Sequence, residues 1–213
     1  MAPQSANSQS NILTKLEELE RRNQLLEAEI ERLQVYKDYA YTDALTEIPN
    51  RRFYYERLLQ EVARARRGPH SLTLALVDLD LFKDINEQVG HRGGDQVLKF
   101  FSQFLRVNLR QEDVVCRIGG DEFAIIMPDT TPDRAAVFFD RVKQKLDQVE
   151  VSIDGRPALT LSFSCGLARF KPEYLPEDLI EEADHSLFSA KARGRNRVVA
   201  ASIDGALVSR SVH

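Results

Sequence analysis

The sequence predicts an α/β (α+β) fold, with one central, mainly antiparallel sheet flanked by helices, preceded by a long coiled-coil helix. Three observations carry this expectation. Residues 12–40 repeat apolar side chains every seven residues. From residue 42 onward, helical and strand periodicities alternate, which requires helices packed on a sheet. Between them, Arg117-Ile-Gly-Gly-Asp-Glu-Phe123 joins two apolar runs and reads as a hairpin bent at its paired glycines.

In order along the chain, residues 1–10 are rich in Ser, Gln and Asn and are expected to be disordered. Residues 11–41 follow as the stalk. Leu16, Asn23, Ile30 and Lys37 occupy a positions, and Ile12, Leu19, Leu26, Leu33 and Ala40 occupy d positions. No glycine or proline interrupts them. Two parallel copies in register would pair Lys15 with Glu20 and Arg22 with Glu27, and Asn23 at an a position favours that register and a dimer. The strip is too narrow for a helix laid on its own domain, so a parallel homodimeric coiled coil ~45 Å long is expected.

The globular domain is assigned to residues 42–213. Pro49-Asn50 ends one helix and caps the next, which runs from Arg51 to Arg67 and stops at Gly68-Pro69. Leu72 to Asp80 is an apolar run ending in acids, hence a buried central strand with carboxylates at its C-terminal end. Asp78 and Asp80, two apart, face the same side and can share a cation; equally, Asp80 can cap a helix over Phe82 to Gln88. Gln96 to Leu109 is an amphipathic helix whose apolar face is Val97, Phe100, Phe101, Phe104, Leu105 and Leu109. Thr131 caps a helix that opens with Pro132 and continues to about Val149. A bend at Asp154-Gly155 leads into a strand from Ala158 to Phe170, then come a helix from Glu177 to Arg193 and a strand from Val198 to Ala200.

Composition narrows the function. A net charge of -4 argues against general nucleic-acid binding, which relies on a basic surface. No apolar run approaches the roughly 18 residues of a membrane span, and the polar start lacks a signal peptide's apolar centre, so a cytoplasmic protein is expected. Cys116 and Cys165 lie in apolar, strand-like stretches and are expected to be buried free thiols. Asp121 and Glu122 place carboxylates beside the bare backbone of Gly119 and Gly120, as a magnesium-phosphate site requires, although an ordinary solvated turn has the same composition.

The wider pattern resolves that choice. Asp43-Ala-Leu-Thr with Pro49-Asn-Arg-Arg52, Asp78-Leu-Asp-Leu-Phe-Lys83 with Asn86, Gly90-His91 and Gly94-Asp95, Gly119 to Phe123, and Ala183-Asp184 through Lys191 to Arg197 occur in this order. Together they resemble the GGDEF family of diguanylate cyclases, over roughly residues 42–200. The resemblance implies a palm-like domain with a ferredoxin-like core that condenses two GTP into cyclic di-GMP and two pyrophosphates, with Mg2+ or Mn2+. It implies a metal held by Asp78, the Leu79 carbonyl and Asp121. Asn86 and Asp95 would read guanine, Gly119 and Gly120 would approach the nucleotide, and Lys83, Lys191 and Arg195 would face the phosphates. Asp121 and Glu122 are both placed to take the hydroxyl proton.

Arg110 and Asp113 match the family's product-inhibition site, with Arg141 on the following helix as a second contact for cyclic di-GMP. Two departures stand out. The family has a glycine where Glu47 stands, so a left-handed turn is not assumed there, and it commonly has Asp in place of Glu87. The competing reading is a catalytically silent cyclic di-GMP receptor, which predicts a damaged catalytic set; this set is complete.

Overall fold

The computed structural model describes residues 4–153, 155, 158–201 and 207–209. The chain divides into two units, Met1–Tyr41 and Thr42–His213. The first is one helix, α1 (Gln4–Tyr41). Residues 4–10, expected to lack structure, belong to it; after Pro3 nothing in the sequence stops a helix. Along α1, Leu16, Leu19, Leu26, Ile30 and Leu33 are exposed to 48–55%, an apolar stripe with no cover in the single chain.

The second unit is built on a six-stranded sheet with the order β2-β3-β1-β6-β7-β8. Its members are β1 (Leu72–Leu79), β2 (Val114–Arg117), β3 (Glu122–Pro128), β6 (Phe163–Arg169), β7 (Val198–Ala201) and β8 (Leu207–Ser209); a separate pair joins β4 (Glu150–Val151) to β5 (Leu159–Thr160). Only β6 and β7 run parallel. Strand β1 is central and buried along its whole length, as its unbroken apolar run requires. Its side chains alternate between two cores. Ala75, Val77 and Leu79 pack with Phe101 of α3 (Phe82–Asn108) and Phe139 of α4 (Pro132–Leu146). Leu72, Leu74 and Leu76 pack with Leu58 of α2 (Arg51–Arg67) and Leu179 and Leu187 of α5 (Pro176–Ala192). That alternation puts Asp78 on the α5 side of the sheet.

Three elements differ from expectation. The strand foreseen from Ala158 to Phe170 is divided, β5 pairing with β4 and β6 with β1 and β7. Of the bend before it, Gly155 has φ +72°, whereas Asp154 lies outside the described residues. The helix from Pro132 ends at Leu146 rather than near Val149, and β8 was not foreseen. Gly90, at φ 77°, divides α3 into two helical stretches. Helix α5 comes so close to β6 that a Cβ on Gly166 would lie 2.2 Å from the Leu187 nitrogen.

Candidate active site

The C-terminal end of β1 and the turn between β2 and β3 lie side by side. Asp78 is the cross-strand partner of Glu122, and the Leu79 N–H donates to the Asp121 carbonyl at 3.2 Å. Helix α5 closes the site from one side, where the Lys191 Nζ lies 2.8 Å from Asp78 Oδ2. Burial pushes the Asp78 carboxyl up to about 6, Lys191 opposes this, and the nearby Asp121 and Glu122 add to it. A nearly buried carboxylate crowded by two others is a site that a cation relieves. Among the described residues no three His, Cys, Asp or Glu side chains form a metal cage. Asp78, Asp121 and the Leu79 carbonyl would offer a sparser oxygen set, of the kind that suits magnesium when phosphates complete its shell.

The signature turn is held from outside. The Ile118 N–H donates to the Glu122 carbonyl at 3.0 Å, and Arg117 donates through Nε and Nη2 to the Gly120 carbonyl at 3.0 and 2.8 Å. Its remaining fork nitrogen, Nη1, reaches Asp43 Oδ1 at 2.9 Å. Sequence reading gave Arg117 and Asp43 no role. The signals were there: Asp43 lies three residues before Thr46, the spacing of an N-cap-type contact, and Arg117 lies three before Gly120. Burial would raise the Asp43 carboxyl, but hydrogen bonds from Thr46 and Arg117 outweigh it and hold the group below the usual carboxylate range. Neither Gly119 nor Gly120 has a positive φ, so the bend does not need glycine for its conformation. A Cβ on Gly119 would lie 2.8 Å from Glu122 Oε2, the far end of a flexible side chain, and one on Gly120 would enter open space.

Helix α3 contributes Lys83, Asn86 and Asp95. Gly94 leaves room for Asn86, whose Oδ1 would be 1.8 Å from a Cβ at that position; Asp95, next in sequence, is exposed. Lys83 is also exposed, and its ion pair among the described residues is a 3.9 Å contact with Glu87. Neither role weighed for Asp80 matches its contacts. Its Oδ1 accepts from Ser164 Oγ at 2.6 Å, and its Oδ2 accepts from Ser162 Oγ at 3.0 Å and from the Asn196 N–H at 2.9 Å. The helix begins instead behind Leu81, with no side-chain cap. Both cysteines are buried and free, as expected, and burial pushes the Cys116 thiol up to about 12.

Arg110 and Asp113 close a tight loop of their own. The Arg110 N–H donates to Asp113 Oδ2 at 3.2 Å, and the Asp113 N–H donates to the Arg110 carbonyl at the same distance. Burial raises the Asp113 carboxyl against the lowering effect of Arg110. Arg141 is not drawn into this loop: its guanidinium lies over the Phe138 ring, 5.6 Å from the centroid.

Residues 40–197 match the family model described as diguanylate cyclase, GGDEF domain. The chain belongs to the GGDEF family. Diguanylate cyclase DgcP of Pseudomonas aeruginosa is 39% identical over 166 residues, which are 78% of this chain and 25% of that protein. Diguanylate cyclase DosC of Escherichia coli is 37% identical over 158 residues, 73% of this chain and 34% of that protein. The chain thus spans a quarter to a third of the length of these GGDEF relatives. The fold is similar to the crystal structure of the coiled coil and GGDEF domain of DgcB from Caulobacter crescentus in complex with c-di-GMP. There the TM-score is 0.77 at 30% identity, covering 86% of this chain and 99% of the other. Among the described residues, no helix is long and apolar enough to cross a membrane.

Proposed function

We propose that this chain is a diguanylate cyclase, joining two GTP into cyclic di-GMP with release of two pyrophosphates. The observation that carries the reading is the gathering of Asp78, Asp121 and Glu122 at one end of the sheet, with Lys191 against Asp78. In each half-reaction a 3′-hydroxyl oxygen bonds to the α-phosphorus of the other GTP. The bond from that phosphorus to the bridging oxygen breaks, pyrophosphate leaves, and Asp121 or Glu122 accepts the hydroxyl proton. Asn86 and Asp95 hold the guanine edge, and the bare backbone at Gly119 and Gly120 lets the nucleotide approach. Lys83, Lys191 and Arg195 offset the leaving-group charge. Asp78, the Leu79 carbonyl and Asp121 would hold a Mg2+ or Mn2+ ion, which would supply charge neutralisation at the phosphates.

One domain holds one GTP, so two domains must face each other. The half-exposed heptad stripe of α1 supports a parallel homodimer through the coiled coil, which raises the local concentration of the second domain. Arg110 and Asp113, with Arg141, form the site through which cyclic di-GMP slows its own synthesis. Arg matches guanine acceptors bidentately and Asp accepts from guanine's amino and imino groups. The protein acts in the cytoplasm, without nucleic acid as partner. The test strips bound nucleotide, adds GTP and Mg2+, and separates the products chromatographically over time. Cyclic di-GMP that forms and then stalls is expected; tight cyclic di-GMP binding with no product would replace the enzyme by a receptor.

A further inference from the structure

The loop after α5 has an unusual backbone. Gly194, Arg195 and Asn196 have φ of 106°, 61° and 46°, three left-handed residues in succession, two of them with side chains. A helix C-terminus accounts for the first, since the Gly194 N–H donates to the Lys191 carbonyl and the Arg195 N–H to the Ala190 carbonyl. It does not account for Asn196. Left-handed residues other than glycine persist only where their surroundings over-determine them. Here the restraint comes from Asp80, the residue that follows β1. The Asn196 N–H donates to Asp80 Oδ2 at 2.9 Å, and that carboxylate is itself fixed by Ser162 and Ser164, the latter fully buried. Asp80 is 5% exposed, and its own N–H is tied to the Ser162 carbonyl at 2.9 Å.

We propose that Asp80 is a positioning residue for the triphosphate: its contact with the Asn196 N–H locks the left-handed loop, and thereby fixes Arg195 and the end of the helix carrying Lys191 relative to Asp78. The strand that supplies the metal carboxylate thus also aims the phosphate-binding cations, two residues further on. This inference rests on the assignment of Lys191 and Arg195 to the phosphates. Because Asp80 acts through a loop that meets the β- and γ-phosphates, its removal discriminates between nucleotides. GTP binding depends on it, and GMP binding does not.

The experiment measures Kd for GTP and for GMP, each with Mg2+, on the full chain and its variants by calorimetry. Asp80→Ala is expected to weaken GTP by about tenfold, the value of one charge-assisted contact to phosphate, with GMP unchanged. Asp80→Asn, which keeps an acceptor for the Asn196 N–H, should restore most of the loss. Equal weakening of GTP and GMP, or of neither, would overturn the proposal. If Asp80→Ala does not fold, Ser162→Ala loosens the same carboxylate from a half-buried position, and a GTP Kd unmoved by it counts against the proposal. Arg195→Ala separates the two readings. Unchanged GTP binding in that variant defeats the phosphate assignment; weakened binding in Arg195→Ala but not Asp80→Ala defeats only the role of Asp80.

Discussion

Arg117 joins Asp43 across 74 residues of sequence, its Nη1 lying 2.9 Å from Oδ1 while its other fork nitrogens hold the Gly120 carbonyl. One planar side chain thereby ties the turn that carries Asp121 to the loop that opens the domain. The Arg117 N–H adds a bond to the Pro49 carbonyl at 2.9 Å. With both partners half-buried, Arg117→Ala is expected to lower stability by ~2 kcal/mol, because Asp43 loses its ion-pair partner. Arg117→Lys should recover little, since an ammonium cannot make three hydrogen bonds to these two acceptors in one plane. Thermal denaturation checks this; a lysine variant as stable as the parent would show that charge alone matters.

Asp78 is expected to oppose stability while serving the site. Its carboxyl, raised from 3.8 to about 6, holds more protons in the folded than in the unfolded chain between those values. Stability therefore falls as pH rises through this window, and the cost is fully present above about 6. Asp78→Asn should raise stability at pH 7.5 by up to ~3 kcal/mol, with the gain vanishing below pH ~4. The same substitution should abolish GTP turnover. Denaturant titrations at both pH values check the sign; a destabilised variant at pH 7.5 would show that the ion pair with Lys191 outweighs burial.

Two glycines of the site should respond oppositely to a methyl group. At Gly94 a Cβ would collide with Asn86 Oδ1, so Gly94→Ala must displace the amide assigned to guanine and is expected to weaken GTP binding at least ~10-fold, the scale of a lost polar contact. At Gly120 the Cβ meets nothing within 4 Å and φ is not positive, so Gly120→Ala should leave the melting temperature unchanged. Its methyl instead occupies the face assigned to the nucleotide. Melting curves with and without GTP and Mg2+ separate the two effects, and a large loss of stability in Gly120→Ala would contradict the open surface.

Arg110→Ala should remove the stall in product formation without lowering the initial rate, because Arg110 and Asp113 close their own loop and share no hydrogen bond with Asp78, Asp121 or Lys191 among the described residues. Progress curves with added cyclic di-GMP provide the check. Inhibition unchanged from the parent would remove this loop from the inhibitory site.

What was legible in the sequence was set by local pattern. The apolar run of β1, the signature hairpin and the Asn50 cap each depend on neighbours within a few residues, and Asn50 Oδ1 indeed accepts from the Arg52 and Phe53 N–H groups. Family resemblance then brought together Asp78, Asp121, Glu122 and Lys191, which no periodicity relates. What escaped was set by contacts far apart in the chain. Asp80 looked like a cap or a ligand because its partners lie 82 to 116 residues away. The strand from Ala158 to Phe170 looked continuous because its division follows from where the Asp80 N–H meets the Ser162 carbonyl. Gly166 gave no sign of α5 pressing on it.

Glu47 is the sharpest case of the sequence departing from a backbone need. A left-handed turn was not assumed there, since the residue is not glycine, yet φ is 60°. The turn is imposed by its surroundings: the Glu47 N–H donates to the Asp43 carbonyl at 2.9 Å, and the Asp43 N–H donates to the Ile48 carbonyl at 2.8 Å, with Ile48 in the core. Glu47 itself is exposed, so nothing its side chain packs against is lost on removal. A left-handed non-glycine residue costs ~1–2 kcal/mol, and the extra freedom of glycine in the unfolded chain returns part of that. Glu47→Gly is therefore expected to stabilise the domain by ~0.5–1 kcal/mol, seen as a higher denaturant midpoint with an unchanged slope. A lower midpoint would mean that the glutamate side chain holds the turn through a contact worth more than the strain.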